Sequence, residues 1–267
     1  MLERERQRLI VKVVNERSFA SVGDLVELFS ASETTIRRDI NALAQGGEIR
    51  RIRGGAEAVS PWHQAHLVGM PFAMSKAIHV PQKRAIARAA AQLICPGESI
   101  IINGGTTTYA LVEFLAAHEL DILTNSFPIA AQLLATSRNR ITLPGGTIFR
   151  EQNIVLSPFD NDVIENFWGS RLFTGCYGVN RFGVMETDPL IVQAQRKLLK
   201  RSENVVLMAD SSKLRRKSSM VVAALTNVTT LITDSGASAD EIEVFKTAGI
   251  EVIVATVAEE DQLRLPA

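Results

Sequence analysis

The sequence predicts an α/β protein that carries a small winged helix-turn-helix domain at its N-terminus. Two patterns lead there. From Pro81 onward, apolar runs of strand length each end in small polar residues and alternate with amphipathic helical stretches, as in a mainly parallel sheet flanked by helices. Before that, three short helical patterns, the last two tightly joined, precede a basic hairpin, the order of a winged helix-turn-helix. A length of 267 residues accommodates one small and one medium domain. The expected boundaries are a first domain at 1–59, a linker at 60–80 and a second domain at 81–257.

Leu9, Ile10, Val13 and Val14 recur at helical spacing, which predicts a helix over roughly 3–16. Ser21 caps a second helix and Asp24, three residues on, completes a capping box, with Val22, Leu25, Val26 and Phe29 as its buried stripe. Ser32 caps a third helix whose apolar face is Ile36, Ile40 and Leu43, and Gly46-Gly47 stops it. Rotation at about 100° per residue puts Thr34, Arg38 and Asn41 opposite that face, with Thr35 and Arg37 flanking them. Asp39 falls at the core border, where it is expected to orient a neighbouring arginine. Residues 48–59 read as a hairpin with Gly54-Gly55 at its tip, carrying Arg50, Arg51 and Arg53. Between 34 and 55, five arginines face only Asp39 and Glu48. On a chain of zero formal net charge, such a local basic surface suits double-stranded DNA, with the helix in the major groove and the hairpin on phosphates.

Residues 60–80 lose periodicity, and Pro61, Pro71 and Pro81 punctuate them. His63, His66 and His79 lack a repeated ligand spacing, so no metal is expected, and no other cofactor is indicated. Cys95 and Cys176 form neither a disulfide framework nor a metal pattern and read as buried free thiols. No apolar run reaches the ~18 residues of a membrane span, and Met1–Arg6 does not resemble a signal peptide, so a cytoplasmic protein without membrane attachment is expected.

In the second domain, a helix over 82–94 buries Ile86, Ala90 and Leu93. Strand-like Ser99–Ile102 leads into Asn103, Gly104, Gly105, Thr106, Thr107 and Thr108, and Leu120–Leu123 into Thr124, Asn125 and Ser126. Ile141–Leu143 leads into Pro144, Gly145, Gly146 and Thr147, Val205–Met208 into Asp210-Ser211-Ser212-Lys213, and Leu231-Ile232 into Thr233-Asp234. Parallel sheets bind ligands at strand carboxyl ends, where these clusters fall. Glycine admits close backbone approach and helix-opening amides attract anions, so Gly105–Thr108 makes a phosphate cradle, or alternatively a plain turn.

Thr35-Ile36-Arg37-Arg38-Asp39-Ile40-x-x-Leu43 together with Arg53-Gly54-Gly55-Ala56 resembles the DeoR family of bacterial sugar-catabolism transcriptional regulators. The resemblance extends over nearly the whole chain. Lys83-x-x-Ile86-Ala87-x-x-Ala90, Asn103–Thr107, Thr124-Asn125-Ser126, Gly145-Gly146 and Asp210–Lys213 are similar to that family's effector domain, which has a ribose-5-phosphate-isomerase-like α/β fold. The resemblance implies a phosphorylated sugar or sugar-acid effector, with Lys213 and Lys197 neutralising its anionic groups. Two departures stand out: Asn103 replaces the family's usual aspartate, and Gln193 stands near a frequent glutamate. Either the ligand bears an extra negative charge that carboxylates would repel, or the site drifted neutrally. Asn103, Leu156-Ser157-Pro158 and Thr187-Asp188 are similar to the branch that includes the ascorbate-catabolism repressor.

The function expected is thus a DNA-binding regulator, in this family most often a repressor, working as a homo-oligomer (dimer or tetramer) under effector control. The alternative is a sugar-phosphate isomerase fused to a DNA-binding module, with Asp188 or Asp210 as general base.

Overall fold

The computed structural model describes residues 3–258 and 261, apart from 18, 30, 53, 60–70 and 160. The chain divides into two compact units, Met1–Leu67 and Val68–Ala267.

The first unit contains helices α1 (Glu3–Arg17), α2 (Val22–Phe29) and α3 (Glu33–Gln45) and strands β1 (Phe19–Ser21), β2 (Ile49–Ile52) and β3 (Gly55–Ala58). The strands form an antiparallel sheet in the order β1-β3-β2. Ile10, Val14, Leu25, Ile36, Ile40, Leu43 and Ile49 close one core. The start of α2 is held reciprocally: Asp24 N–H donates to Ser21 Oγ at 3.1 Å, and Ser21 N–H donates to Asp24 Oδ2 at 3.2 Å. Ser32 Oγ accepts from Thr35 N–H at 3.2 Å, so the expected cap of α3 is present. One expectation needs correction. The hairpin pairs Ile52 with Gly55, so Gly55 already belongs to β3 rather than to the tip. The third strand, β1, had no legible signal, because three residues between helices show no period.

Asp39 is more deeply placed than its border position implied. It is fully buried, takes Arg6 Nε of α1 at 2.6 Å and Gln7 Nε2 at 3.1 Å, and so pins α1 to α3. The arginine it orients is remote in sequence.

The second unit is built on seven parallel strands in the order β15-β14-β12-β9-β4-β5-β6. These are β4 (Ser99–Ile102), β5 (Asp121–Thr124), β6 (Arg140–Thr142), β9 (Gly169–Thr174), β12 (Ser202–Met208), β14 (Thr230–Asp234) and β15 (Glu251–Ala255). Their side chains alternate between two cores: Ile100, Ile102 and Phe173 face one, Ile101 and Leu172 the other. Burial on both faces explains the continuous apolar runs. Helices α4 (Phe72–Lys76), α5 (Val80–Ala91), α6 (Thr106–Leu111), α7 (Phe127–Thr136), α8 (Pro189–Leu199) and α9 (Ala239–Thr247) connect and cover the strands. A hairpin of β7 (Thr147–Phe149) and β8 (Ile154–Leu156) and a small antiparallel sheet of β10 (Gly178–Asn180), β11 (Gly183–Glu186) and β13 (Met220–Ala223) complete the unit.

Strand order reverses between β4 and β9: β4, β5 and β6 run outward one way, β9, β12, β14 and β15 the other. Such a switch point opens a crevice at the carboxyl ends of its two central strands. Residues 71–80, expected as linker, instead contribute α4 to this unit, with Phe72 buried and its ring 5.7 Å from that of Tyr109. Cys95 is exposed rather than buried; Cys176 is buried, and burial pushes its thiol up to about 12. No helix among the described residues is long and apolar enough to cross a membrane.

Candidate functional site

The first candidate surface is the outer face of α3 with the adjoining hairpin. Thr34, Arg37 and Arg38 are exposed, and Asn41 is half-buried. Their surroundings differ. Arg37 is bound one turn back to Glu33, with Nε and Nη2 at 2.8 and 2.5 Å from Oε1. Thr35 Oγ1 lies 2.8 Å from Ser32 Oγ, so this hydroxyl belongs to the cap of α3. Arg51 Nη1 donates to Asn41 Oδ1 at 2.7 Å and ties the hairpin to α3. Arg50 pairs with Glu57 directly across the strands. Arg38 has no hydrogen bond or ion pair among the described residues, leaving its fork of donors available to a base edge. Arg53 lies outside the described residues.

The second candidate is the crevice at the switch point. Asn103 to Thr107 follow β4, Gly175 and Cys176 follow β9, Asn125 follows β5 and Lys213 follows β12; all line it. It holds about 90 Å³ of clear space, a tight fit for a small polar ligand. Gly104 is required: a Cβ there would stand 2.2 Å from Ile154 Cγ2. Its N–H donates to Asn125 Oδ1 at 2.8 Å, which fixes the amide of Asn125. Asn125 Nδ2 is then a buried donor with no partner among the described residues. An unsatisfied donor in a cavity wall is what a ligand oxygen would complete.

Charge in the crevice is mixed. Lys213 and Arg216 line it, and Lys213 Nζ donates to the Cys176 carbonyl. Glu186, at the end of β11, also lines it; burial pushes its carboxyl up to about 7, with Lys213 opposing. Asp210 stands behind Lys213. Burial would raise its carboxyl, but the Ser212 hydroxyl at 2.5 Å and the Lys213 ammonium together hold it below the usual range. Asp210 also accepts from Ser212 N–H at 3.1 Å, which caps the short 3-10 turn that presents Lys213.

Several expected effector residues sit elsewhere. Thr108 Oγ1 donates to the Asn103 carbonyl at 2.7 Å, Thr124 Oγ1 accepts from Ser126 N–H at 3.1 Å, and Ser126 Oγ caps α7; these three brace the loops from behind. Gly145 and Gly146 do not line the crevice. A Cβ on Gly146 would meet the Leu156 carbonyl at 2.2 Å, so that glycine serves hairpin packing. Lys197 lies in a neighbouring groove of about 650 Å³, its Nζ donating to the Phe159 carbonyl at 2.6 Å. Gln193 lines that same groove.

The buried amide beside Asn103 is Gln195 instead. Asn103 Nδ2 and Gln195 Nε2 each donate to Thr174 Oγ1 at 3.1 Å. An aspartate at 103 would lose that donor, which gives the asparagine a reason independent of ligand charge. Glu186 adds a carboxyl group to the crevice that the sequence did not point to. Ser75, Glu186 and Arg216 were missed because each is a single polar residue in an unremarkable local pattern, brought in only by tertiary folding. Among the described residues no cluster of three metal-ligating side chains occurs.

Comparison with known proteins bears on both surfaces. Residues 6–61 match the DeoR-like helix-turn-helix domain and residues 78–235 the DeoR C-terminal sensor domain. The chain is 30% identical over 255 residues to the HTH-type transcriptional regulator UlaR of Shigella dysenteriae serotype 1 (strain Sd197), covering 95% of this chain and 99% of that protein. UlaR of Escherichia coli (strain K12 / DH10B) matches with the same identity and coverage. Solved structures align loosely. Ribose 5-phosphate isomerase A from Neisseria gonorrhoeae shares 18% identity at a TM-score of 0.38, over 49% of this chain and 52% of that one. A transcriptional regulator from Streptococcus pneumoniae TIGR4 shares 13% identity at a TM-score of 0.38, over 62% and 86%. Nothing about chemistry follows from likeness that distant. The two domain matches, in this order and with relatives aligned along 95% of the chain, make the protein a member of the DeoR family of transcriptional regulators.

Proposed function

We propose that this regulator represses a sugar or sugar-acid catabolic operon and is released from its operator when a phosphorylated sugar intermediate fills the crevice at the β4–β9 switch point. The observation that carries the reading is the unpartnered Asn125 amide facing a cavity that also holds Lys213 and Arg216. A donor and two cations suit a ligand with anionic and hydroxyl oxygens. Thr106, Thr107 and the backbone at Gly104-Gly105 would complete the contacts. Gln193 lines the neighbouring groove and Asn103 is bound to Thr174, so neither amide decides the ligand's charge, and neutral-sugar and sugar-acid phosphates are equal candidates.

Operator DNA would be read by Thr34, Arg38 and Asn41 on α3, with Arg37 competing between Glu33 and DNA, and Arg50, Arg51 and Arg53 bracing the hairpin on phosphates. Thr35 contributes through its cap. A cytoplasmic homo-oligomer, a dimer or a pair of dimers, would match two-fold symmetric operators. The domain limits we assign are 1–59 for DNA binding and a sensor domain that begins with α4. The isomerase alternative is set aside, because the relatives aligned along 95% of the chain are transcriptional regulators.

The test is fluorescence anisotropy on the DNA upstream of the protein's own gene, titrated with sugar and sugar-acid phosphates. Specific binding released by one compound is expected. Absence of specific binding at moderate salt would overturn the reading.

A further inference from the structure

The first described element after the DNA-binding unit is α4, and its contacts run to the parts that build the crevice. Phe72 N–H donates to the Glu151 carbonyl at 2.7 Å, on the β7–β8 hairpin that brings Ile154 into the lining. Lys76 Nζ sits 4.5 Å above the Tyr109 ring of α6. Ser75 itself lines the crevice, and its Oγ lies 3.2 Å from Thr106 Oγ1. Two residues past α4's C-cap, His79 adopts a left-handed backbone (φ 53°) and places Nδ1 3.3 Å from Asp210 Oδ1. A non-glycine residue at positive φ persists only where its surroundings hold it.

Beneath α4 lies Lys83, 4% exposed, whose ammonium donates to the backbone carbonyl of Ser75. That partner is a neutral dipole, an incomplete match for a buried charge. Burial accordingly brings the Lys83 ammonium down to about 8, and nearby Lys213 adds to this. Lys83 and Lys213 both act on Asp210, and Arg216 adds a third positive charge near Lys83, so cations outnumber the local carboxylate.

We infer that α4 is the output element of the effector crevice: the Ser75 hydroxyl, beside Thr106, binds an anionic oxygen of the effector, and that oxygen draws Lys83 off the Ser75 carbonyl, unclamping α4 and with it the connection to the DNA-binding unit. The inference rests on the effector reading above and names the residues through which occupancy is transmitted. An anionic oxygen adds to the ammonium's hydrogen bond a Coulomb attraction that the neutral Ser75 carbonyl lacks, so the exchange favours the bound state. α4 has five residues and few internal bonds, so the Lys83 contact is a large share of what holds its end. Lys83 is a positioning residue in this scheme; Ser75 touches the ligand.

The test uses the full chain and its Lys83→Met and Ser75→Ala variants, with 6-phosphogluconate and ribose 5-phosphate as probes. Operator affinity is read by anisotropy, probe binding by calorimetry and folding by thermal melting. Lys83→Met, lacking the clamp, is expected to bind operator at least about fivefold more weakly than wild type with no probe present. It should still bind the probe that releases wild type, yet answer it with less than about a twofold change in operator affinity. Ser75→Ala should lose about three- to tenfold in probe binding. Folded Lys83→Met with wild-type operator affinity and wild-type release would overturn the clamp. Should Lys83→Met fail to fold, Ser75→Ala with unchanged probe binding would overturn the scheme at its other end. A wild type that binds operator but answers neither probe would count against the effector reading, while the probe-free comparison still decides the clamp.

Discussion

Arginines that look alike in the sequence have different tasks once their partners are known. Arg38, without a described partner, is the base reader we propose, whereas Arg51 spends one donor on Asn41. Arg38→Ala should weaken operator binding by ~1–3 kcal/mol and relax base preference, measured by competition with random DNA. Arg51→Ala should weaken all sequences alike and flatten the salt dependence by about one unit in a log-log plot. Equal losses on operator and random DNA for both variants would put the recognition face elsewhere. Glu186 makes a second prediction at this scale. Its folded carboxyl is raised to about 7, above the unfolded value, so the stability it contributes is present at low pH and lost as pH rises through about 7. Urea unfolding of wild type should show stability falling over that window. Glu186→Gln, which keeps the neutral shape, should flatten the fall; an unchanged slope would mean another group titrates.

At the scale of elements, the motifs legible in sequence are those whose signal is local. The caps at Ser21 and Ser32, the apolar face of α3 and the runs ahead of Asn103, Thr124 and Asp210 all depend on residues a few positions apart. Strand β9 went unread although it is central, because Ser170 and Arg171 interrupt its apolar run. The guanidinium of Arg171 is balanced by Glu98, 2.5 Å away and far off in sequence. The β7–β8 hairpin, too, gains its meaning only by packing. Its Ile154 leaves no room for a side chain at 104, so Gly104→Ala should displace the crevice wall. We expect that variant to lose effector response at least about fivefold while keeping wild-type operator affinity in the same anisotropy assay. A loss confined to operator affinity would contradict the assignment of this loop to the effector.

For the whole molecule, regulation requires that the effector bind one arrangement of the chain better than the other. A coupling of about 1–3 kcal/mol corresponds to a five- to 150-fold change in operator affinity. A two-fold symmetric oligomer on half-sites spaced by one helical turn, about 10–10.5 base pairs, gives footprinting and light scattering a joint expectation. A monomer protecting a single half-site would refute it.

The sequence by itself determined the α/β class, the helix-turn-helix with its basic hairpin, and which strand ends carry clusters of small polar residues. Those follow from periodicity, capping and turn chemistry over spans of a few residues. Only the tertiary structure decided which of those strand ends converge. It sorted Thr107 and Asn125 into the crevice wall from Thr108 and Ser126 behind it, moved Lys197 to a separate groove, and brought in Ser75, Glu186 and Arg216. The physical reason is that strand order in a parallel sheet is set by long crossover connections and the packing of two cores, and neither leaves a periodic mark on the chain.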